Sequence, residues 1–198
     1  MPGAKPRLRE PFATQYEALE KKTAAAEESG HPLGDASIRC LPSGVPSMMT
    51  AVLPLEIVQK GNELLILAEE LAEIRRIYIN EKMPLAEETA PSYHGYSVAH
   101  WEGATLVVQT QGIREEVRFL DMPHSANMRV TERLRLTAPD MLEDQGTIED
   151  PTILLEPYRF TFRYKRNSTY KVAEYVCDDN HYDVNGSGGV SFHSEPKR

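Results

Sequence analysis

The chain contains no hydrophobic run long enough to cross a membrane, and it carries little positive charge. A spanning helix needs about 20 consecutive apolar residues, and no stretch of the 198 residues approaches that length. Lys and Arg number 22 against 30 Asp and Glu, so the formal net charge is −8. Nucleic acids and anionic lipids bind clustered positive charge. The sequence therefore predicts neither a nucleic-acid nor a membrane partner.

Cysteine is almost absent. The two cysteines, Cys40 and Cys177, form no CxxC or Cys/His cluster of metal-ligand spacing. They could pair in an oxidising compartment or remain as two buried thiols in the cytosol. The N-terminal residues 1–11 are basic but no hydrophobic segment follows them, so they do not form a secretory signal. We therefore favour free thiols and a cytoplasmic location, the alternative being a signal that has been removed.

Signature motifs of the large enzyme classes are also missing. The chain has no glycine-rich phosphate loop, no GxSxG elbow, no HExxH and no dinucleotide fingerprint. Its six histidines are scattered along the sequence. We expect neither a cofactor nor a metal ion.

The composition is typical of one globular domain, since 40% of the residues are hydrophobic and 26% are charged. Residues 1–50 are predicted to contain a helix from Thr14 to Ser29, begun by a capping box of Thr14 and Glu17, and then a Pro- and Gly-rich connection. Residues 51–180 are predicted to form the β domain. Residues 181–198 lack periodicity and are glycine-rich, which indicates a flexible tail.

Short runs of β-forming residues separated by turn signals fill the central part of the chain. The turns between them are mostly too short for helical crossovers, which predicts antiparallel pairing. Eight or nine such strands lose their exposed edges most simply by closing into a barrel. The connections 80–95 and 112–127 are long enough to cover its mouth. We therefore predict a mainly β fold, an antiparallel β-barrel with one N-terminal helix. The predicted strands are Val52–Gln59, Glu63–Glu69, Ile74–Ile79, Tyr96–Trp101, Thr105–Thr110, Arg129–Leu136, Met141–Glu149, Tyr158–Lys165 and Lys171–Cys177.

Glu132 stands on the apolar side of one of these strands. A carboxylate in that position must be paired, protonated or given room with water and a ligand. Glu132 is therefore the best single indication of a polar site inside the barrel. The residues that share its face are Met128, Val130, Leu134 and Leu136, and those on the other face are Arg129, Thr131, Arg133 and Arg135.

Two arginines and one histidine could act with Glu132. Arg75 and Arg76 are adjacent in one strand among apolar residues, so one of them points inward whichever register the strand adopts. Pairing a buried Arg with a buried Glu is the least costly way to place either charge in the interior. A structural ion pair or a solvated arginine is an equally good interpretation. His124 ends a long loop and could transfer protons if Asp121 or Glu132 orients it, although lone loop histidines are more often inert. We predict Glu132, His124 and Arg76 as catalytic residues.

Further polar and aromatic side chains could contact a ligand. Tyr158 begins a strand in which aromatic residues alternate with basic ones, so its phenol could hydrogen-bond a ligand. His100 and Trp101 occupy opposite faces of one strand, and at most one of them lines the interior. Glu149 and Asp150 close another strand, and one of these carboxylates could face the barrel mouth. The predicted substrate-binding residues are Arg75, Tyr78, Trp101, His100, Tyr158 and Asp150.

Several motifs occur in an order that resembles a large, mostly uncharacterised family of β-rich proteins, many of whose bacterial members are exported. The resemblance runs from about Cys40 to Asn180, and its motifs include CLPSGVPSMM at 40–49, WEGATLVV at 101–108, VTER at 130–133, TIEDP at 147–151 and EYVC at 174–177. It implies a small lipocalin-like barrel. Barrels of that kind recur as cyclases and isomerases of fungal secondary metabolism, including enzymes that guide Diels–Alder closures, and a similar role is expected here by analogy of fold and context.

Two functions are compatible with these features. The first is a cofactor-independent enzyme that encloses a hydrophobic small molecule and promotes cyclisation, dehydration or isomerisation. Diels–Alder closure is one form that the cyclisation could take. The second is a lipocalin-like carrier, in which the same polar residues only orient a hydrophobic ligand. An interaction scaffold is disfavoured by the charged outer faces of the strands. Assembly as a homodimer is left open.

Overall fold

Eight strands follow one another in chain order across one curled sheet, and one α-helix precedes them in the part of the chain that the structure describes. The computed structural model describes residues 4–34, 40–50 and 52–177 together with two short strands, 182–184 and 190–192. The predicted mainly β fold with an N-terminal helix is confirmed. The elements are α1 (Phe12–Glu28), β1 (Leu55–Lys60), β2 (Glu63–Ala68), β3 (Ile74–Ile79), β4 (Tyr96–Glu102), β5 (Thr105–Gln111), β6 (Arg129–Ala138), β7 (Met141–Glu149), β8 (Tyr158–Lys165), β9 (Tyr182–Val184) and β10 (Val190–Phe192).

The sheet is antiparallel at every neighbouring pair except one. Strands β3 and β4 run parallel, with Ile77 opposite Ser97 and Ile79 opposite Ala99. The connection 80–95 carries the chain back to the same end of the sheet, with only a short 3-10 turn at Ala86–Glu88. The prediction of a wholly antiparallel sheet is therefore wrong at this pair, because a long irregular connection can serve as a crossover as well as a helix can.

The sheet is curled but not closed. Strand β1 pairs only with β2 and strand β8 only with β7, so both are edges of the eight-stranded sheet. The predicted closed barrel is thus an open half-barrel. Its concave side is covered instead by other parts of the chain, namely the connection 112–127 and residues 43–50, which we call the covering segment.

Eight of the nine predicted strands are present, with ends that agree to within a few residues. The ninth, predicted at 171–177, is wrong. The carboxylate of Glu69 accepts hydrogen bonds from the Tyr170 hydroxyl at 2.7 Å and from the Ala173 N–H at 2.9 Å, so a side chain takes the place of a partner strand.

The predicted tail, residues 181–198, contains a short hairpin of β9 and β10. Residue types with high β propensity flank its glycine-rich stretch, which is the pattern of a hairpin. The remaining residues of the predicted tail lie outside the described residues.

Helix α1 begins before Thr14, and its N-cap residue, Pro11, provides no side-chain cap. The predicted capping box of Thr14 and Glu17 is wrong, because the Thr14 hydroxyl bonds the carboxylate of Glu10 instead. Tyr16 is buried, and its hydroxyl donates to the carbonyl oxygen of Leu120 at 3.0 Å, which holds α1 on the connection 112–127. No helix in the described residues has both the length and the apolar character needed to span a bilayer.

The interior of the half-barrel is filled by the chain's own side chains. Phe119, from the connection 112–127, packs against three aromatic residues of β8, with its ring centroid 5.1 Å from that of Phe160. Phe160 in turn lies over Gly146 of β7, where an added Cβ would sit 1.9 Å from the Phe160 ring. Further buried residues from the connection and from the covering segment are Val117, Met122, Val45, Met48 and Met49.

Cys40 and Cys177 form a disulfide, with their Cα atoms 5.6 Å apart and 137 residues between them in sequence. The prediction of two free thiols is therefore wrong. The bond joins a residue that precedes the covering segment to the end of the β domain. The fold brings these two cysteines together, and their spacing in sequence does not predict the contact.

Candidate functional site

A buried ion pair lies on the concave face of the half-barrel. Glu132 of β6 and Arg75 of β3 are both 0% exposed. The guanidinium donates to both carboxylate oxygens, with 2.9 Å from Nη1 to Oε1 and a second, short contact from Nη2 to Oε2. Burial alone would lower the pKa of Arg75, but the charge and the hydrogen bonds of Glu132 outweigh it and raise that pKa. The bidentate geometry is the strong form of this interaction.

Two hydroxyl groups complete the contacts of the guanidinium. Nη2 of Arg75 donates to Thr110 Oγ1 at 3.0 Å, and Ser97 Oγ lies 3.4 Å from Nη2 and 2.8 Å from Thr110 Oγ1. Ser97 belongs to β4 and Thr110 to β5. One hydrogen-bonded chain therefore crosses four neighbouring strands, β3 to β6, on the concave face of the sheet.

Asp144 of β7 extends this cluster, and the sequence analysis missed it. It is 0% exposed and lies near Glu132, and neither of its carboxyl oxygens accepts a hydrogen bond from a donor in the described residues. Burial, and next the neighbouring Glu132 carboxylate, raise the pKa of Asp144 well above its usual range. A protonated Asp144 leaves the cluster with one positive and one negative charge, which avoids an unpaired charge in the interior. Its proton can be donated to Glu132.

A signal for Asp144 was present in the sequence. In β7 it alternates with Leu142, Gly146 and Ile148 on the inward face, as Glu132 does in β6. The sequence prediction for β7 used only the carboxylates at the end of the strand. The alternation that placed Glu132 inward would also have placed Asp144 inward. One predicted apolar neighbour of Glu132 is also misplaced, because Leu136 lies beyond the core and is 69% exposed.

Tyr164 of β8 connects the cluster to the covering segment. Its hydroxyl donates to the carbonyl oxygen of Met49 at 2.7 Å. Burial, followed by the charges of Asp144 and Glu132, raises the pKa of Tyr164. With Tyr164 included, each of the six strands β3 to β8 places one polar side chain in the same region of the concave face.

Glu73 holds the other end of the covering segment. This carboxylate is 4% exposed and accepts the N–H groups of Ser43 at 2.8 Å and Gly44 at 3.0 Å, and His94 Nε2 lies 2.8 Å from it. Burial would raise the pKa of Glu73, but these hydrogen bonds lower it overall. At Gly44 φ is +72°, and an added Cβ would sit 2.4 Å from the Tyr93 carbonyl oxygen, so the motif needs glycine here.

His124 and Arg76, two of the predicted catalytic residues, form no hydrogen bond or ion pair with Glu132 in the described residues. His124 is 8% exposed, its Nδ1 lies 3.0 Å from the Ser125 carbonyl oxygen, and its Nε2 is buried with no hydrogen-bond partner among the described residues. Arg76 points to the outer face, where it approaches Glu63 at 3.7 Å with about half of its side chain exposed. The inward arginine is therefore Arg75. It lies opposite Ile66, which is buried on the concave face, and residues paired across neighbouring strands point to the same face.

Three predicted ligand-binding residues lie on the outer face or at a rim. Tyr78 stacks on Tyr96 with ring centroids 5.1 Å apart. His100 is exposed and lies 3.2 Å from the carboxylate of Glu102. Trp101 follows Ser97 and Ala99 in alternation but is 50% exposed, because it stands at the end of β4 beyond the core.

Asp150 and Tyr158 are buried outside the cluster. Asp150 accepts the N–H and the hydroxyl of Ser125 at 2.6 and 2.9 Å and the N–H of Thr152 at 3.0 Å, so it organises the turns around it. Tyr158 packs edge-on against Phe119 with ring centroids 6.1 Å apart.

An open cleft of about 530 Å³ lies at the end of β6 and β7. Two of its guanidinium groups, those of Arg9 and Arg129, form no ion pair in the described residues, although Arg129 donates to the Gln111 side chain at 2.6 Å. Neither Glu132 nor Asp144 lines it. The cleft is lined by Arg9, Asn127, Arg129, Glu149, Asp150, Pro151, Leu154, Leu155, Glu156 and Pro157.

No group of three or more His, Cys, Asp or Glu side chains in the described residues is arranged to hold a metal ion. Comparison with known proteins gives no further indication. No protein-family model, no curated protein and no solved structure matches the chain.

Proposed function

We propose that the protein is a cofactor-independent enzyme that moves protons on a hydrophobic small molecule, with Asp144 as general acid and Glu132 as general base. The observation that carries the proposal is the fully buried Asp144, whose carboxyl oxygens accept no hydrogen bond from the described residues, beside the ion-paired Glu132. A neutral acid next to a charged carboxylate is the arrangement by which one site holds both roles. Isomerisation, dehydration and cyclisation all use such a pair, and the analogy of fold and context with small barrel-type cyclases favours the same class of reaction.

The simplest step is enolisation of an apolar carbonyl compound. Asp144 would give its proton to the carbonyl oxygen while Glu132 takes a proton from the adjacent carbon. The Asp144 O–H bond and a C–H bond break, and O–H bonds form on the substrate and on Glu132. Transfer of the proton from Glu132 to Asp144 would restore the starting state. Arg75 would position Glu132 and balance its charge. His124 and Arg76 have no part in this proposal, because in the described residues neither bonds a member of the cluster.

Entry of a substrate requires the covering segment to move, since Asp144, Glu132 and Arg75 are fully buried. The segment is held by discrete polar contacts at its two ends, those of Glu73 with Ser43 and Gly44 and that of Tyr164 with Met49. Tyr164→Phe removes one of these contacts without adding volume, and it is expected to speed substrate entry.

The test is deuterium incorporation from D₂O into a panel of apolar ketones, led by propiophenone, followed by mass spectrometry. We expect the native chain to exceed the buffer rate and Asp144→Asn to lose a factor on the order of 100 or more. Asp140→Asn makes the same chemical change at an exposed position and should retain the native rate. No exchange above buffer with any ketone, or an equal rate for Asp144→Asn, would contradict the proposal.

The open cleft favours a second candidate function, a carrier. Its leucines and prolines could hold an apolar body, and Arg9 and Arg129 could bind an acidic head group. A dansyl-labelled fatty acid would then bind with no chemistry, and Arg129→Gln would weaken binding while Asp144→Asn would not. This pattern separates a carrier from an enzyme.

The cellular location belongs with these proposals. Disulfides persist in oxidising compartments and are rare in the cytosol. The bond between Cys40 and Cys177 therefore weighs against the predicted cytoplasmic location and favours an exported protein. Fractionation of the native host, with thiol labelling of the purified protein, tests this.

A further inference from the structure

Strand β1 is an edge with little protection. Its second side pairs with no other strand in the described part of the chain. After the half-buried Leu55, every residue of β1 is exposed, including Ile57 at 41% and Val58 at 39%. An edge of this kind presents N–H and C=O groups that can pair with another strand. Lysine is one of the residues that normally protect such edges, and β1 has it only at its last position, Lys60.

The opposite edge of the sheet is different. Strand β8 carries Arg159, Arg163 and Lys165 on its outer face. Arg163 is paired with Glu143 of β7, but two copies of β8 placed side by side would still bring Arg159 and Lys165 together, which is unfavourable. Strand β1 is therefore the edge that can accept a second copy of the chain.

The charges of β1 match themselves in one register. Two antiparallel copies related by a two-fold axis place one residue opposite its own counterpart. With Val58 on the axis, Glu56 faces Lys60 of the second copy, Lys60 faces the second Glu56, and Ile57 faces Gln59. With Ile57 on the axis Glu56 faces Val58, and with Gln59 on the axis Lys60 faces Val58, so neither alternative pairs the charges.

We propose that the protein forms a two-fold dimer by antiparallel pairing of β1 with β1 of a second copy, with Val58 on the axis. The two half-barrels then share one continuous sheet. Main-chain hydrogen bonds supply the pairing, and the two Glu56 to Lys60 contacts select the register. The apolar side chains of Ile57 and Val58 become covered. The dimer is independent of the proposed chemistry, because β1 contributes no residue to the cluster around Glu132.

Sedimentation equilibrium over a range of protein concentrations tests the dimer. The native chain should associate as the concentration rises. Glu56→Lys should shift the equilibrium toward monomer, because it places two lysines opposite each other, and the double variant Glu56→Lys/Lys60→Glu should restore dimer. Glu17→Lys changes the net charge equally on the exposed face of α1 and should leave the equilibrium unchanged. A native monomer at every concentration, or equal effects of Glu56→Lys and Glu17→Lys, would overturn the proposal.

A cross-link tests the register separately. Val58→Cys places two thiols directly opposite each other across the axis, where they can form a disulfide. In a glutathione buffer, Val58→Cys should give a covalent dimer on a non-reducing gel. Lys60→Cys should give no covalent dimer, because the two introduced thiols lie far apart along the paired strands. Equal cross-linking of the two variants would overturn the register.

Discussion

Arg75 donates hydrogen bonds to both carboxylate oxygens of Glu132, and both side chains are fully buried. The adjacent residue in sequence, Arg76, lies half-exposed on the other side of the same strand. The two arginines are therefore adjacent residues of the same type, one buried and one exposed, and each can serve as the control for the other.

Arg75→Met should destabilise the protein by about 3–5 kcal/mol, because it leaves Glu132 buried without a positive partner. Arg76→Met should cost less than about 1 kcal/mol, since exposed ion pairs contribute little. Urea unfolding followed by circular dichroism measures both. The double variant Arg75→Met/Glu132→Leu should recover much of the loss, because it removes both charges. Equal losses for the two single variants would show that the Arg75 pair is not buried as described.

Asp144→Asn should change the pH dependence of stability. The raised pKa of Asp144 means that its contribution is fully present below its ordinary value of 3.8 and is lost as the pH rises toward its folded-state pKa. Asn cannot ionise, so the variant should lose less stability than the native chain as the pH rises above about 4. Urea unfolding at a series of pH values measures the difference. Asp140→Asn should follow the native curve, and parallel curves for Asp144→Asn and the native chain would rule out a protonated Asp144.

Gly146→Ala should be destabilising by about 1–3 kcal/mol or more, because the new methyl group would overlap the Phe160 ring. Shortening that ring should relieve the overlap, so Gly146→Ala/Phe160→Leu should be more stable than the sum of the two single changes predicts. Thermal unfolding of all three variants completes this double-mutant cycle. Simple additivity would mean that Phe160 does not lie over Gly146.

Reduction of the Cys40–Cys177 disulfide should cost about 2–4 kcal/mol, because the bond closes a long loop and restricts the unfolded chain. Unfolding with and without a phosphine reductant measures this loss. The variant Cys40→Ser/Cys177→Ser should match the reduced native chain and should not respond to the reductant. A native chain that is insensitive to reductant would indicate that the bond is not formed in solution.

Much of the fold was predictable because strand formation leaves a local pattern. The runs Ile74–Ile79 and Tyr158–Lys165 were predicted with the bounds that the structure gives, since β-forming residues are bracketed there by clear turn signals. The inward position of Glu132 was predictable for the same reason, as alternation places a residue on one face whatever its partner strand is. Asp144 was within reach of the same argument.

Other features could not be predicted from local pattern. The choice between Arg75 and Arg76 depends on the register of β3 against β2, because a shift of one residue exchanges the two faces. The parallel pairing of β3 with β4, the open edge at β1 and the approach of Cys40 to Cys177 join residues that are distant in sequence.

The amino-acid sequence by itself determined which segments become strands, which side chains alternate inward, and that an acidic group would be placed in an apolar interior. Those properties depend on residues a few positions apart and on the cost of burying a charge. Only the tertiary structure decided which arginine neutralises Glu132, that Asp144 lies beside it without a second positive charge, and that the sheet stays open. These contacts arise from the order and register of strands across the curled sheet, where side chains from six strands come together on the concave face.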